Sequence, residues 1–130
     1  MEQLRNYHPI LTENYRWDFL SNLSGKALMD FLNTDINTTA QFANQAMQQI
    51  MSNQGIIWGV TLKNSSVLIG LIELTDIHNQ DLTLNLRFQQ EVPAEILSRL
   101  RYFIFQQLNI HQVLFQGPAY NYQKYKDFFA

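Results

Sequence analysis

The sequence predicts an α/β (α+β) fold: a mixed sheet in which an antiparallel meander runs into one parallel crossover, with helices on its flanks. Three observations predict it. Between Ile56 and Phe88 the apolar runs IIWGVTL, VLIGLIELT and LTLNLRF are separated only by the short polar links KNSS and IHNQD, which is hairpin spacing. Before these runs, apolar residues recur with helical period. After them, a helical stretch passes through the tight link LNI into a further β-rich run. A strand, helix and strand joined this closely place the two strands in parallel, right-handed order.

Taken in order, ILTENYRWDFL, between Pro9 and Leu20, alternates weakly and is read as a first strand. Ser21 to Leu32 sets Leu23, Ala27, Leu28, Phe31 and Leu32 on one helical face, with Ser24 or Asn22 as cap. Thr38 to Met51 repeats the pattern with Phe42, Ala43, Ala46, Met47, Ile50 and Met51. Thr38 or Thr39 is expected to open this helix, and Asn53 and Gly55 to close it. Strands 56–62, 67–75 and 82–88 follow as neighbours. In the last, Leu82, Leu84, Leu86 and Phe88 alternate with Thr83, Asn85 and Arg87, so one face is core and the other polar. Pro93 suits a first helical position, and Ile96, Leu97, Leu100, Ile104 and Leu108 carry one face to about Gln107. IHQVLFQ (110–116) is a short strand, and NYQKYKDFFA makes about two helical turns. The order is β, α, α, β, β, β, α, β, short α.

At 130 residues the chain is expected to form one domain over 1–130. Only 15% of it is charged, against roughly 25% in soluble domains. Asn (12) and Gln (14) make up the difference, at one residue in five. The 9 Lys and Arg are scattered and offset by 11 Asp and Glu, which argues against nucleic acid as partner. Absence of cysteine excludes a disulfide scaffold, a thiolate metal site and a cysteine nucleophile, and suits the cytoplasm. No signal segment or membrane-length apolar run is present in the sequence, so no membrane partner is expected. His8, His78 and His111 have no metal-ligand spacing, so no metal is expected; His111 reads as a structural contact and His78 as a turn residue.

Several strings, in order, resemble the Gcn5-related N-acetyltransferase (GNAT) superfamily, in the branch that acetylates ribosomal-protein N-termini. ILTENYRW resembles its opening strand, IIWGVTLKNSSVLIGLIELTDI its central hairpin, and FIFQQLNIHQVLFQGPAYN its helix end, next strand and closing Pro118 and Asn121. The likeness covers about Ile10 to Asn121. It implies a sheet that splays between strands 82–88 and 110–116, with acetyl-CoA in the split and its pantetheine arm paired to the exposed backbone of the first of these, as an added strand would be. It implies an N-acetyltransferase acting on a small-molecule or peptide amine. By resemblance the coenzyme is expected along Leu86, Arg87, Phe88, Gln89, Gln90, Val92, Ala94 and Asn121.

The family holds the pyrophosphate with a glycine-rich loop at a helix N-terminus, where unpaired N–H groups face the anion. The corresponding segment Phe88–Glu95 has no glycine: Pro93 removes a donor, Val92 restricts the backbone and Glu91 adds a negative charge. A carboxylate about 4 Å from a phosphate costs roughly 1 to 4 kcal/mol, or about one to three decades of affinity. A degenerate, non-catalytic domain that binds a partner or dimerises is therefore the alternative expectation. By the family's chemistry, Glu73 or Asp76 is the candidate base, and Tyr122 or Tyr125 the acid that protonates the leaving thiolate. Against this stand a solvated strand-end carboxylate and an aromatic helix pinned to the sheet. Glu95 lies four residues before Arg99, which favours an ion pair over a phosphate contact for Arg99 or Arg101. Trp17, Trp58, Tyr102 and Phe103 line a pocket or, more commonly at such spacing, a core.

VLFQGP (113–118) resembles a picornaviral cysteine-protease recognition sequence used for tag removal. The same residues fit the strand expected at that point, so they are read as part of the fold. The family continues past this point into a closing strand pair, whereas the chain stops at KDFFA. An open sheet edge after 110–116, able to take a partner strand or a second copy in a homodimer, is the expectation.

Overall fold

A computed structural model of the chain describes residues 3–7 and 9–130; His8 therefore lies outside the described residues. Among the described residues six strands form one sheet in chain order: β1 (Ile10–Leu11), β2 (Tyr15–Phe19), β3 (Ile56–Leu62), β4 (Leu68–His78), β5 (Asp81–Phe88) and β6 (Gln112–Phe115). The first five pair antiparallel, and β5 with β6 is the parallel pair expected from the crossover. The helices are α1 (Gly25–Leu32), α2 (Ile36–Met51), α3 (Ala94–Tyr102) and α4 (Ala119–Tyr125).

Register divides the sheet chemically. Ile72 pairs Leu86 and Leu74 pairs Leu84, all buried on the face that packs on α3. On this side Trp17, Trp58 and Phe103 stack edge to face, with centroids 5.5 and 4.8 Å apart. The opposite face carries Leu71 beside Arg87 and Glu73 beside Asn85. Leu71 packs into the smaller apolar cluster with Leu28 and Ala46 of α1 and α2. Thus α1 and α2 cover the second face only in part, and its polar strip falls at their edge.

Several sequence expectations are corrected. The first segment is a hairpin, not one strand: Thr12 N donates to Tyr15 O (3.0 Å), and β1 is only two residues long. The first helix begins at Gly25 rather than Ser21, because Ser24 caps it by accepting from Ala27 N (3.0 Å) and Leu20–Asn22 is a separate 3₁₀ turn. Asp35, not Thr38 or Thr39, opens the second helix, accepting from Thr38 N at 2.7 Å. That bond holds the Asp35 carboxyl below its ordinary range. The middle strand runs on to His78 because a bulge between Thr75 and His78 absorbs the irregular residues. Pro93 caps α3 rather than starting it, and the helix finishes in a π turn over Phe103–Gln107. The last strand is 112–115, shorter than 110–116. Tyr102 is exposed at the surface, whereas Trp17, Trp58 and Phe103 are core.

The excess of Asn has a backbone explanation. With five glycines in the chain, Asn occupies left-handed positions that glycine commonly fills: Asn33 after α1 (φ 53°), Asn53 after α2 (63°), Asn79 in the β4–β5 turn (50°) and Asn109 before β6 (55°). After glycine, Asn is among the residues that enter this region most readily, and Asn53 Oδ1 also accepts from Leu4 N at 2.8 Å.

Candidate active site

The β5–β6 ladder covers only Asp81–Leu84 against Gln112–Phe115, and its last bond runs from Gln116 N to Leu84 O (2.9 Å). There the chain turns away at Gly117 (φ 102°) while β5 continues to Phe88. Leu84 directs its carbonyl toward β6, so by strand alternation Leu86 and Phe88 direct theirs into the opening. The result is a cleft of about 680 Å³ between Asn85–Val92 on one wall and Gly117, Pro118, Tyr120, Asn121 and Tyr125 on the other. Phe88 is held at the rim by its place over Gly70, its register partner, which has no side chain to displace it.

Glu73 is 7% exposed, on the polar strip one strand in from the opening. It pairs with Arg87 and accepts from Asn85 Nδ2 at 3.3 Å. Arg87 in turn lies over the Phe42 ring, 5.4 Å from its centroid, which fixes its approach. Burial raises the Glu73 carboxyl above its ordinary range, and the Arg87 charge pulls the other way without cancelling it. Asp76 is exposed, at the bulge, with φ 51°.

The two tyrosines differ sharply. Tyr125 is buried on the cleft wall, and its hydroxyl accepts from Val92 N at 3.0 Å, which leaves the O–H proton to donate. Tyr122 is half exposed, packs on Phe115 (5.6 Å) and lies outside the cleft lining.

Of the coenzyme residues expected from resemblance, Leu86 to Gln90, Val92 and Asn121 all line the cleft, whereas Ala94 begins α3 outside it. Asn121 Nδ2 donates to Leu86 O (2.9 Å), a carbonyl that an arm laid along β5 would use. Val92 N is already bound to Tyr125, and Lys124 holds Glu91 at 3.2 Å. So α4 reaches across the split three times. The open strand edge suits a thin polar arm. The loop does not suit a pyrophosphate, since one of its N–H groups is taken and its carboxylate stands at the mouth.

The expected Glu95–Arg99 pair does not form. Glu95 accepts from Asn14 N (3.0 Å) and Asn14 Nδ2 (2.7 Å), chiefly the latter holding its carboxyl below the ordinary range, and Arg99 donates to Gln107 Oε1 (3.0 Å). Arg101 is exposed. His78 closes β4 beside Asn79 Nδ2 (2.9 Å), and His111 N donates to Gln80 O (2.7 Å). Among the described residues no His, Asp and Glu cluster is placed to hold a metal ion, and no helix is long and apolar enough to cross a membrane. Sequence reasoning missed Asn85 and the pairing of Arg87 with Glu73. The signal was available in the alternation: once the two strands are neighbours, odd-numbered residues of both share a face.

No family model matches the sequence, and no curated protein matches it. Solved structures do. A candidate ribosomal-protein-serine acetyltransferase from Vibrio cholerae superposes with a TM-score of 0.74 over 93% of this chain and 79% of its own, at 12% identity. A ribosomal-protein alanine acetyltransferase from Vibrio fischeri gives 0.68 over 92% and 79%, at 13% identity. A spermidine N-acetyltransferase variant from Vibrio cholerae gives 0.53 over 69% and 58%, at 18%. The fold is that of the GNAT acetyltransferases.

Proposed function

On the premise of that fold, we propose that this chain is an N-acetyltransferase that moves an acetyl group from acetyl-CoA to a small-molecule or peptide amine by direct attack. The observation that carries the reading is Glu73: a buried β4 carboxylate, its pKa raised by burial, held by Arg87 and Asn85, two β5 residues that line the cleft where β5 and β6 part. Acetyl-CoA supplies the thioester, whose C–S bond breaks as the amine nitrogen forms the new C–N bond. Glu73 takes the proton the amine loses. Tyr125, its oxygen already bound by Val92 N–H, gives its own proton to the departing sulfur. Leu86, Arg87 and Phe88 offer the strand edge for the donor's arm, with Asn121 alongside, and Gln89 and Gln90 border the mouth.

A second reading, a non-catalytic binding module, is favoured by one observation: the cleft is bridged by Asn121, Lys124 and Tyr125, and its loop has no anion cradle. In that case β6, an edge strand of four residues with Leu114 exposed, is the natural place for a second copy to add. Calorimetry and thermal denaturation with acetyl-CoA decide between them. At 100 times its dissociation constant the donor adds about 2.7 kcal/mol of stability. No stabilisation at millimolar acetyl-CoA overturns the enzyme reading.

A further inference from the structure

Acetyl-CoA ends in a nucleotide diphosphate, and seating that end takes cations or free N–H groups. The cleft lining holds two charged side chains, Arg87 and Glu91. Arg87 is paired with Glu73, and Glu91 is held by Lys124 at 3.2 Å. Among the described residues no cation of the lining is therefore left for a phosphate. Backbone donors are spent in the same way. Val92 N–H is bound to the buried Tyr125 hydroxyl at 3.0 Å, and Pro93 has no N–H to give. None of Gln89 to Val92 takes the left-handed conformation, so the loop does not turn its successive N–H groups inward as an αR–αL anion nest does. In the first turn of α3, Ile96 N and Leu97 N both donate to Pro93 O, at 3.0 and 3.2 Å. Ala94 and Glu95 lie outside the cleft lining, and Pro93 lines a separate hollow with Tyr15 and Leu62. No residue at the positive end of this helix lines the split.

The rest of the lining suits the other end of the same molecule. Gln89, Gln90 and Asn121 supply carboxamide side chains, which donate and accept without charge. By strand alternation the Leu86 and Phe88 carbonyls open into the split, and Leu86 O keeps a second lone pair beside the one that Asn121 Nδ2 uses. A pantetheine arm is an uncharged chain of amide and hydroxyl groups. Such a surface pairs with that chemistry and leaves phosphate unpaired.

We propose that this chain recognises its donor by the pantetheine arm alone, the nucleotide adding no affinity, so that an acetyl thioester of pantetheine serves with or without the nucleotide; the proposal rests on the acetyltransferase reading above. The transfer itself is unchanged: the C–S bond breaks, the amine nitrogen takes the acetyl group and the arm leaves as its thiol. Glu91 reinforces the exclusion. Its carboxylate, even shared with Lys124, stands on the wall beside which the anionic end would lie, and it brings repulsion where a cradle would bring attraction.

The test is calorimetry on the wild-type chain with acetyl-CoA and acetyl-pantetheine as the two probes. One charge-assisted hydrogen bond to a phosphate is worth about tenfold or more in affinity. Acetyl-CoA is therefore expected to bind less than about tenfold more tightly than acetyl-pantetheine, or more weakly. A preference for acetyl-CoA of about tenfold or more overturns the proposal and leaves the acetyltransferase reading standing. Salt gives a second readout. Between about 0.01 and 1 M sodium chloride the Debye length falls from about 30 to 3 Å, so an attractive phosphate contact would weaken acetyl-CoA relative to acetyl-pantetheine. The ratio of the two dissociation constants is expected to stay level or to move in favour of acetyl-CoA, and a move in favour of acetyl-pantetheine overturns the proposal. Binding of neither probe at millimolar concentration overturns the acetyltransferase reading itself.

Discussion

Replacing Glu73 by Gln separates its proposed chemistry from its structural role, because the two predict opposite signs. Glu73 is almost fully buried and its folded pKa lies above the ordinary carboxylate value, with burial as the larger influence and Arg87 as the opposing one. A carboxyl shifted upward stabilises the fold fully below its unfolded pKa, and that contribution is lost as pH rises through the folded value. Ionised Glu73 is therefore a net burden at neutral pH, and Glu73→Gln should be at least as stable as wild type at pH 7, the gap closing below pH 4. Arg87 is left unpaired but is nearly half exposed and stays hydrated, so the penalty for an orphaned buried charge does not arise. Activity should move the other way. Loss of a positioned base costs roughly 10²- to 10⁴-fold in kcat, or about 3 to 5 kcal/mol of barrier. Urea denaturation at pH 4 and pH 7, with steady-state acetyl transfer, reads both. The reasoning is refuted if the variant keeps kcat within threefold, or if it is less stable than wild type by more than about 2 kcal/mol at pH 7, the scale of a lost charged hydrogen bond.

Further outcomes are expected. Arg87→Ala removes the group that opposes burial, so the acid limb of the kcat pH profile should move to higher pH; a downward shift would show that Arg87 does not govern Glu73. Tyr125→Phe strands the buried Val92 N–H and should cost about 1 to 3 kcal/mol by urea denaturation, whereas Tyr122→Phe should change stability by a few tenths. The double change Glu91→Gly and Pro93→Gly should tighten acetyl-CoA binding by about tenfold or more in calorimetry, since it removes a carboxylate and restores a donor and a flexible loop. Asn33→Gly should leave stability within a few tenths of a kcal/mol, while Asn33→Ala should cost about 1 to 2, because alanine lacks the amide that makes the left-handed region tolerable.

How far the fold was legible depended on whether the deciding forces were local. The strand 56–62 matches residue for residue, because a run of buried residues on both faces, bounded by Gly55 and the KNSS link, leaves no competing assignment. The hairpin at its start was not legible, since two residues of β1 show no alternation and the turn at Thr12–Asn14 is set by bonds to Tyr15 and, 81 residues away, to Glu95. The same remote bond explains why the Glu95–Arg99 pair failed: helical spacing made that pair possible, but a loop offered Glu95 two donors at once. Of the cleft, residues 86–92 on one wall and Asn121 and Tyr125 on the other were named through the resemblance, while Asn85 was not. What could not be read was how the two walls meet, because Asn121 to Leu86 and Tyr125 to Val92 are bonds between segments that helix α3 separates in the chain.

The bridges from α4 also tie two traits of the molecule together. Asn121, Lys124 and Tyr125 stabilise the fold through groups on the facing wall, Leu86 O, the Glu91 carboxylate and Val92 N, that the proposed donor would meet. An occupant that displaces Asn121 from the Leu86 carbonyl, rather than sharing it, has the energy of that bridge subtracted from its binding. Robustness and affinity are then set against each other in one short helix. Variants selected for heat resistance should tend to strengthen these bridges and hold ligands less well, and variants selected for tighter binding should tend to melt earlier when empty.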